Sequence, residues 1–370
     1  MENLDHPLVS VIIPAYNAQA FIDKTLASVL AQTYRNLEIL VVDDGSSDRT
    51  VEIVQKFAAK DQRIRLLQQP NAGVAAARNL GMKSAQGEFI APIDADDIWY
   101  PSAIAKLVAQ FQTARPEVGV VYAWSVDIDE HDRPTGGFHA ATVKGTVYKT
   151  LICHNFLGNA SCTLMRKQCL DLIGGYDPNL KAQNAQGCED WDLYLRLAQE
   201  HEFDVVPEFL VGYRKVFSSM SGDFKQMARS QQLMLQTVQK KHPEIPGFLY
   251  RISRSSFYLY LAQQCDLQSN HRATLFWLGQ AVKVDFITPL GRLGFYILLL
   301  KSSAKQLLGG LFPVTHLENP PTANLAESDR SSSFCLSHSL NPIAEGKINR
   351  FQIWLKVFVG NLLHHSLSRV

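Results

Sequence analysis

The sequence predicts an α/β domain over residues 1–222 followed by an α-helical C-terminal region. Three observations carry this. Short apolar runs rich in β-branched residues alternate with stretches of helical period, acidic and polar clusters sit at the ends of those runs, and beyond residue 222 helical periodicity takes over.

Val9 to Ile13 is a buried strand halted at Pro14-Ala15-Tyr16-Asn17, and Phe21, Ile22, Leu26, Val29 and Leu30 then recur at helical spacing. Leu37 to Val42 is a second strand, ending in Asp43-Asp44-Gly45-Ser46-Ser47-Asp48, with a helix through Val51, Ile53, Val54 and Phe57 after it. Ile64 to Leu67 supplies a third strand, Gly73 to Ser84 an Ala-rich helix, and Phe89 to Ile93 a fourth strand ending in Asp94-Ala95-Asp96-Asp97. Such alternation implies a parallel sheet with covered faces and ligands gathered at the carboxyl ends of its strands. Past residue 115 the alternation loosens. Val118 to Trp124 reads as a strand, Asp127 to Gly137 as a polar hairpin, Asn159 to Met165 as a strand, Gly174 to Pro178 as a turn, Glu189 to Ala198 as an amphipathic helix and Val205 to Val211 as a last strand.

Residues 223–312 read as a helical domain, with a hairpin from Tyr258 to Val284 broken at Gln268-Ser269-Asn270. The Pro, Ser and Asn clusters of 313–346 predict a flexible linker, and 347–370 an amphipathic tail helix. The chain of 370 residues is 46% hydrophobic and 19% charged, which excludes wholesale disorder. Its net charge of +1 is unevenly spread: residues 1–222 carry 20 Lys+Arg against 27 Asp+Glu, a net −7, and the remainder a net +8. The two parts therefore suit different partners. Six widely spaced cysteines without metal-ligand spacing are expected to be reduced thiols in a cytoplasmic protein. Residues 1–10 lack the pattern of a signal peptide, and the apolar run Leu293 to Leu300 is too short to span a bilayer.

Asp94-Ala95-Asp96 places two carboxylates at a strand end, where they can converge on Mg²⁺ or Mn²⁺; as an alternative they cap the helix that starts near Pro101. Asp43-Asp44 either builds an Asx turn or accepts the imide N–H of a uracil or a ribose hydroxyl. No P-loop and no dinucleotide fingerprint occurs.

Val11-Ile12-Ile13-Pro14-Ala15-Tyr16-Asn17, then Val41-Val42-Asp43-Asp44-Gly45-Ser46-Ser47-Asp48, then Asn71-Ala72-Gly73 with Arg78-Asn79 and Gly81, then Asp94-Ala95-Asp96-Asp97, in this order and spacing, resemble the family 2 glycosyltransferases. The similarity continues through Gly174-Gly175-Tyr176-Asp177, Glu189-Asp190 and Tyr213-Arg214 and covers roughly residues 8–222. The resemblance implies the GT-A fold, Rossmann-like and nucleotide-sugar-binding, an inverting reaction, a nucleotide-diphosphate sugar donor with UDP-sugars foremost, and Mg²⁺ or Mn²⁺. It also implies roles. Pro14, Tyr16, Asp43 and Asp44 would line the nucleoside pocket, Arg78 would lie near the donor, Asp94 would face ribose and diphosphate, Asp96 with Asp94 would hold the metal, and Asp190 beside Glu189 would be the catalytic base. After Tyr213-Arg214 many relatives carry a basic or histidine residue two positions on, where this chain has Val216.

The chemistry has its own logic. Glycosyl transfer builds negative charge on the departing diphosphate, so a cation there favours the transition state, while a positioned carboxylate takes the acceptor's proton. Glu189 and Asp190 equally suit a helix start, where the dipole favours anions. A reading of a different class is an inactive nucleotide-sugar-binding module whose helical region is an interaction platform. The expected acceptor is a saccharide or lipid-linked saccharide, in polysaccharide, lipopolysaccharide or glycolipid assembly, and nucleic acid is not an expected partner. The basic C-terminal half, with Phe286 to Leu311 and Phe351 to Phe358, either associates peripherally with the inner membrane face or packs against the catalytic domain.

Overall fold

The computed structural model describes residues 6–215, 223–311 and 348–368. The expected linker 313–346, like Cys335 and Val216, lies outside them. The chain divides into two units, one of Met1–Gln236 with Ser337–Val370 and one of Thr237–Leu336.

The first unit is built on a nine-stranded sheet: β1 (Val9–Ala15), β2 (Leu37–Asp43), β3 (Ile64–Gln68), β4 (Phe89–Pro92), β5 (Ile98–Trp99), β6 (Val118–Ile128), β7 (Pro134–His139), β8 (Thr163–Arg166) and β9 (Glu202–Arg214). The order is β3-β2-β1-β4-β8-β6-β9-β5, with β7 paired to β6. Strands β1 to β4 are mutually parallel, as their alternation with helices predicts, and β1 and β2 are buried nearly throughout. Past β4 the sheet is mixed. β8 runs antiparallel to β4 and β6, whereas β9 runs parallel to β6. The short β5 and the helices Tyr148–Cys153 and Lys167–Ile173 carry too few residues to show a period in the sequence. Two expected segments are displaced. The hairpin turns at Asp129–Asp132, where Asp132 is left-handed, and its second strand is Pro134–His139; Ala160–Cys162 is a 3₁₀ turn ahead of β8.

Helix Val74–Ser84 packs tightly on β1, because a Cβ on Gly81 would come 2.6 Å from Cγ2 of Ile12. The tail helix Arg350–Leu367 belongs to this unit. It begins with an Asn349 capping box and adds Ile353 to a core cluster with Ile98, Val126 and Phe138, while Lys356 donates to the Phe138 carbonyl at 2.7 Å.

In the second unit the helices Gly247–Leu267 and His271–Val284 form the expected hairpin. They bury Leu261, Cys265 and Leu278, and Tyr258 lies against Trp277. Helix Leu293–Leu311 carries Lys301, which pairs with Asp266 at 2.7 Å. Among the described residues, no helix is long and apolar enough to cross a membrane. Cys153, Cys162, Cys169, Cys188 and Cys265 are buried free thiols.

Candidate active site

The carboxyl ends of β1, β2 and β4 lie side by side. Register pairs Ala15 with Asp43, and the Ile93 N–H donates to Ile12 at 3.0 Å. Pro14 is buried in β1, and Tyr16, on the loop that follows, is 55% exposed. Asp43 and Asp44 are both buried. Asp43 Oδ1 accepts the Ser46 N–H at 3.3 Å. Asp44 takes three hydrogen bonds from one turn: Gln69 Nε2 at 2.7 Å and Ala72 N at 2.8 Å on Oδ1, and Gly73 N at 2.8 Å on Oδ2. This carboxylate therefore ties the end of β2 to the start of helix Val74–Ser84.

One turn into that helix is Arg78, whose side chain is 4% exposed. Its Nη2 meets Asp94 Oδ1 at 2.5 Å and its Nη1 meets Asp190 Oδ1 at 2.6 Å. Three segments 112 residues apart at their extremes thus converge on one guanidinium. Tyr176 lies under it, ring centroid 5.1 Å from Cζ. Asn79 fixes Tyr176 in turn, donating from Nδ2 to its carbonyl at 2.8 Å and accepting its N–H on Oδ1 at 2.9 Å. Gly175 (φ 74°) must be glycine here, because a Cβ would come 2.6 Å from Asn79 Oδ1. The Arg78-Asn79 and Gly174-Gly175-Tyr176 motifs are thus two halves of one contact.

Within Asp94-Ala95-Asp96-Asp97 each acid has a different environment. Asp97 is fully buried and structural: Oδ2 accepts Ser161 Oγ at 2.5 Å and Oδ1 the Arg214 N–H at 2.8 Å. Burial, then the charges of Asp96 and Asp94, push its carboxyl well up. Asp96 gives its backbone carbonyl to Arg214 Nε at 2.6 Å and leaves its carboxylate without a side-chain hydrogen bond among the described residues. Burial and the neighbouring Asp94 raise it to about 6. Arg214, 2% exposed, also donates to the Asp129 carbonyl and Asp132 Oδ1, both at 2.5 Å, and so anchors the acidic loop from behind. The sequence showed Arg214 only as part of a motif; its burial, which gives it this anchoring role, is a tertiary fact.

Glu189 and Asp190 open helix Glu189–Glu200. Glu189 folds back to accept the Gly187 N–H at 2.8 Å, a helix-start role. Asp190 faces Arg78 instead. Burial pushes it up to about 7 against the pull of Arg78, with Asp94 and Glu189 adding to the rise. Asp192 pairs with Arg196 at 2.8 Å on the helix surface.

Among the described residues, no group of three His, Cys, Asp or Glu side chains is placed to hold a metal ion. The residues present still fit one. Mg²⁺ and Mn²⁺ at phosphoryl sites take one or two carboxylates and fill the rest of their shell with phosphate oxygens and water, and Asp96 offers beside Asp94 a raised carboxylate that is bonded only to its own backbone among the described residues.

Residues 10–172 match the family described as Glycosyl transferase family 2. An uncharacterized glycosyltransferase of Haemophilus influenzae is 43% identical over 95 residues, 25% of this chain and 38% of that one. Two solved structures share the fold: S. aureus TarS 1-349 in complex with UDP-GlcNAc, 18% identical over 82% of this chain and 92% of that one, TM-score 0.51, and the mannosyltransferase PcManGT from Pyrobaculum calidifontis in complex with GDP-Man and Mn²⁺, 23% identical over 81% of each, TM-score 0.50. The chain spans 38%, 30% and 26% of the length of three curated relatives it matches. The acidic loop after β4 lies inside the stretch, 10–172, that matches this family, and Asp190 lies beyond it on helix Glu189–Glu200.

Proposed function

We propose that this protein is an inverting glycosyltransferase that moves a sugar from a nucleotide-diphosphate donor, a UDP-sugar in the first instance, to an acceptor hydroxyl. The observation that carries the reading is the junction at Arg78, where the donor-side Asp94 and the partly buried Asp190 meet beside the carboxylate of Asp96, which takes no side-chain hydrogen bond among the described residues. A carboxyl held near 7 is half ionised at neutral pH and basic enough to take a proton from an alcohol as its oxygen bonds to the sugar. Asp190 is the base in this reading, and Glu189, bonded to its own helix start, supports it. Mg²⁺ or Mn²⁺ held through Asp96 and Asp94 would neutralise charge on the departing diphosphate. Pro14, Tyr16, Asp43 and Asp44 line the nucleoside end, where Asp44 keeps one lone-pair site for a base N–H after its three bonds to the turn.

The acceptor is a saccharide or lipid-linked saccharide, and the protein associates peripherally with the inner membrane face. Support comes from the tail helix: Ile353 faces the core, while Phe351, Trp354 and Phe358 are at least half exposed and stack as a ladder with centroids 5.8 and 5.3 Å apart.

The test is nucleotide release from a panel of UDP-, dTDP- and GDP-sugars with Mn²⁺, with and without saccharide acceptors. Turnover of one donor that Asp190→Asn abolishes supports the reading. Donor binding with no turnover by the unaltered protein leaves the inactive binding module instead.

A further inference from the structure

A buried guanidinium between two carboxylates is more than a charge balance. One ammonium would supply the same single positive charge, but the planar fork fixes where each partner sits, one on Nη1 and one on Nη2. The fork itself has little freedom. Helix Val74–Ser84 is seated on β1 through Gly81, the guanidinium face is covered by Tyr176, and Tyr176 is pinned by the two hydrogen bonds of Asn79. Asp190, in contrast, stands at the first turn of its helix, and its Oδ1 bond to Arg78 is the hydrogen bond that orients it.

We propose that Arg78 is a positioning residue that couples the two sides of the site: by holding Asp94 on one arm and Asp190 on the other, it sets the base relative to the bound donor, and the base is correctly placed only while both arms are made. The inference rests on the functional reading above and deepens it. Arg78 then acts through Asp190 rather than directly on the donor, near which the resemblance places it.

The decisive variant is Arg78→Lys, which keeps the charge and loses the fork, compared in the unaltered and the Asp190→Asn backgrounds. Saturating transfer rate, UDP affinity by calorimetry and thermal melting are measured for all four proteins. A misplaced base costs on the order of 100-fold in rate. The expected result is a loss of that size for Arg78→Lys with folding retained, and a further change within about twofold when Asp190 is already Asn, since the residue it positions is gone. Should Arg78→Lys fail to fold, Tyr176→Leu, which uncovers the guanidinium and leaves its charge, is carried through the same cycle with a smaller expected loss. Equal fold-losses in both backgrounds overturn the coupling, as does Arg78→Lys turning over within about twofold of the unaltered enzyme. An unaltered protein that neither binds UDP nor turns over any donor overturns the functional reading itself, and with it this inference, whereas additive losses in an active enzyme overturn the inference alone.

Discussion

The ends of β2 and β4 carry similar acidic clusters and put them to opposite uses. At β2, Asp44 takes three donors from its turn, at 2.7 to 2.8 Å. At β4 and across to Asp190, carboxylates are only partly withdrawn from water, Asp94 and Asp190 being 29% and 23% exposed, but are under-supplied with donors, and Asp96 and Asp190 rise to about 6 and about 7. Burial alone does not make a carboxylate reactive. What distinguishes the two clusters is whether backbone N–H groups supply the carboxylate with hydrogen bonds.

That contrast can be broken residue by residue. Asp190→Asn is expected to cut transfer by about 10²- to 10⁴-fold while leaving UDP affinity and melting temperature nearly unchanged, measured by steady-state rates, calorimetry and scanning fluorimetry. Asp96→Asn comes next: Mn²⁺ should strengthen UDP binding to the unaltered protein by at least about tenfold, a factor of roughly 1.4 kcal/mol, and should not strengthen it in the variant. Equal affinities with and without Mn²⁺ in both proteins would remove the metal from the reading.

Asp44→Ala should invert the pattern. It strands two backbone N–H groups and a glutamine amide, so a loss of about 3 kcal/mol in denaturant unfolding is expected, larger than that of either reactive-side variant. A stability change below about 1 kcal/mol would show that water replaces the turn's acceptor. The pH dependence sharpens the same point. Asp190 must be ionised to accept a proton, and its folded value is raised, so kcat/KM should be full above about pH 7 and fall toward tenfold per unit below it. A profile flat down to pH 5 would move the base elsewhere. The smallest effect is expected at the tail. Replacing Phe351, Trp354 and Phe358 by serine should release the protein from anionic liposomes at low salt with turnover of a soluble acceptor unchanged, because these rings face away from the core. Retention of the triple variant on the liposomes would assign binding to the helix Leu293–Leu311.

Much of the first unit was legible in the chain. Strands β1, β2 and β4 are nearly continuous apolar runs because both their faces are covered, and each ends at Pro, Asp-Gly or Asp-rich segments that cannot continue a strand, whereas the edge strand β3 exposes Arg65 and Gln68. The later strands were less so. β6 is buried nearly throughout while β9 mixes buried, half-buried and exposed positions, both run on beyond their apolar centres, and the two-residue β5 exists only because β9 lies alongside it to pair. The site residues Asp94, Asp96 and Asp190 stood out for their type and position, yet nothing local told Asp190 from Glu189 one residue away. Helix geometry separates them: neighbours on a helix point about 100° apart, so one reaches back to Gly187 and the other toward Arg78.

By itself the sequence determined the alternating framework, the carboxyl edge on which the acids gather and the helical character of the C-terminal half, since periodicity and strand-breaking residues are local properties. Tertiary structure alone decided which acids are supplied with donors and which are poised, that Arg78 joins Asp94 to Asp190 and that Arg214 stands behind Asp96. It also placed the tail helix in the first unit, with Asn361 bonded to Thr142 across 219 residues of chain. Desolvation and hydrogen-bond supply depend on what a fold brings around a carboxylate from far along the chain, and no local pattern of residues encodes that.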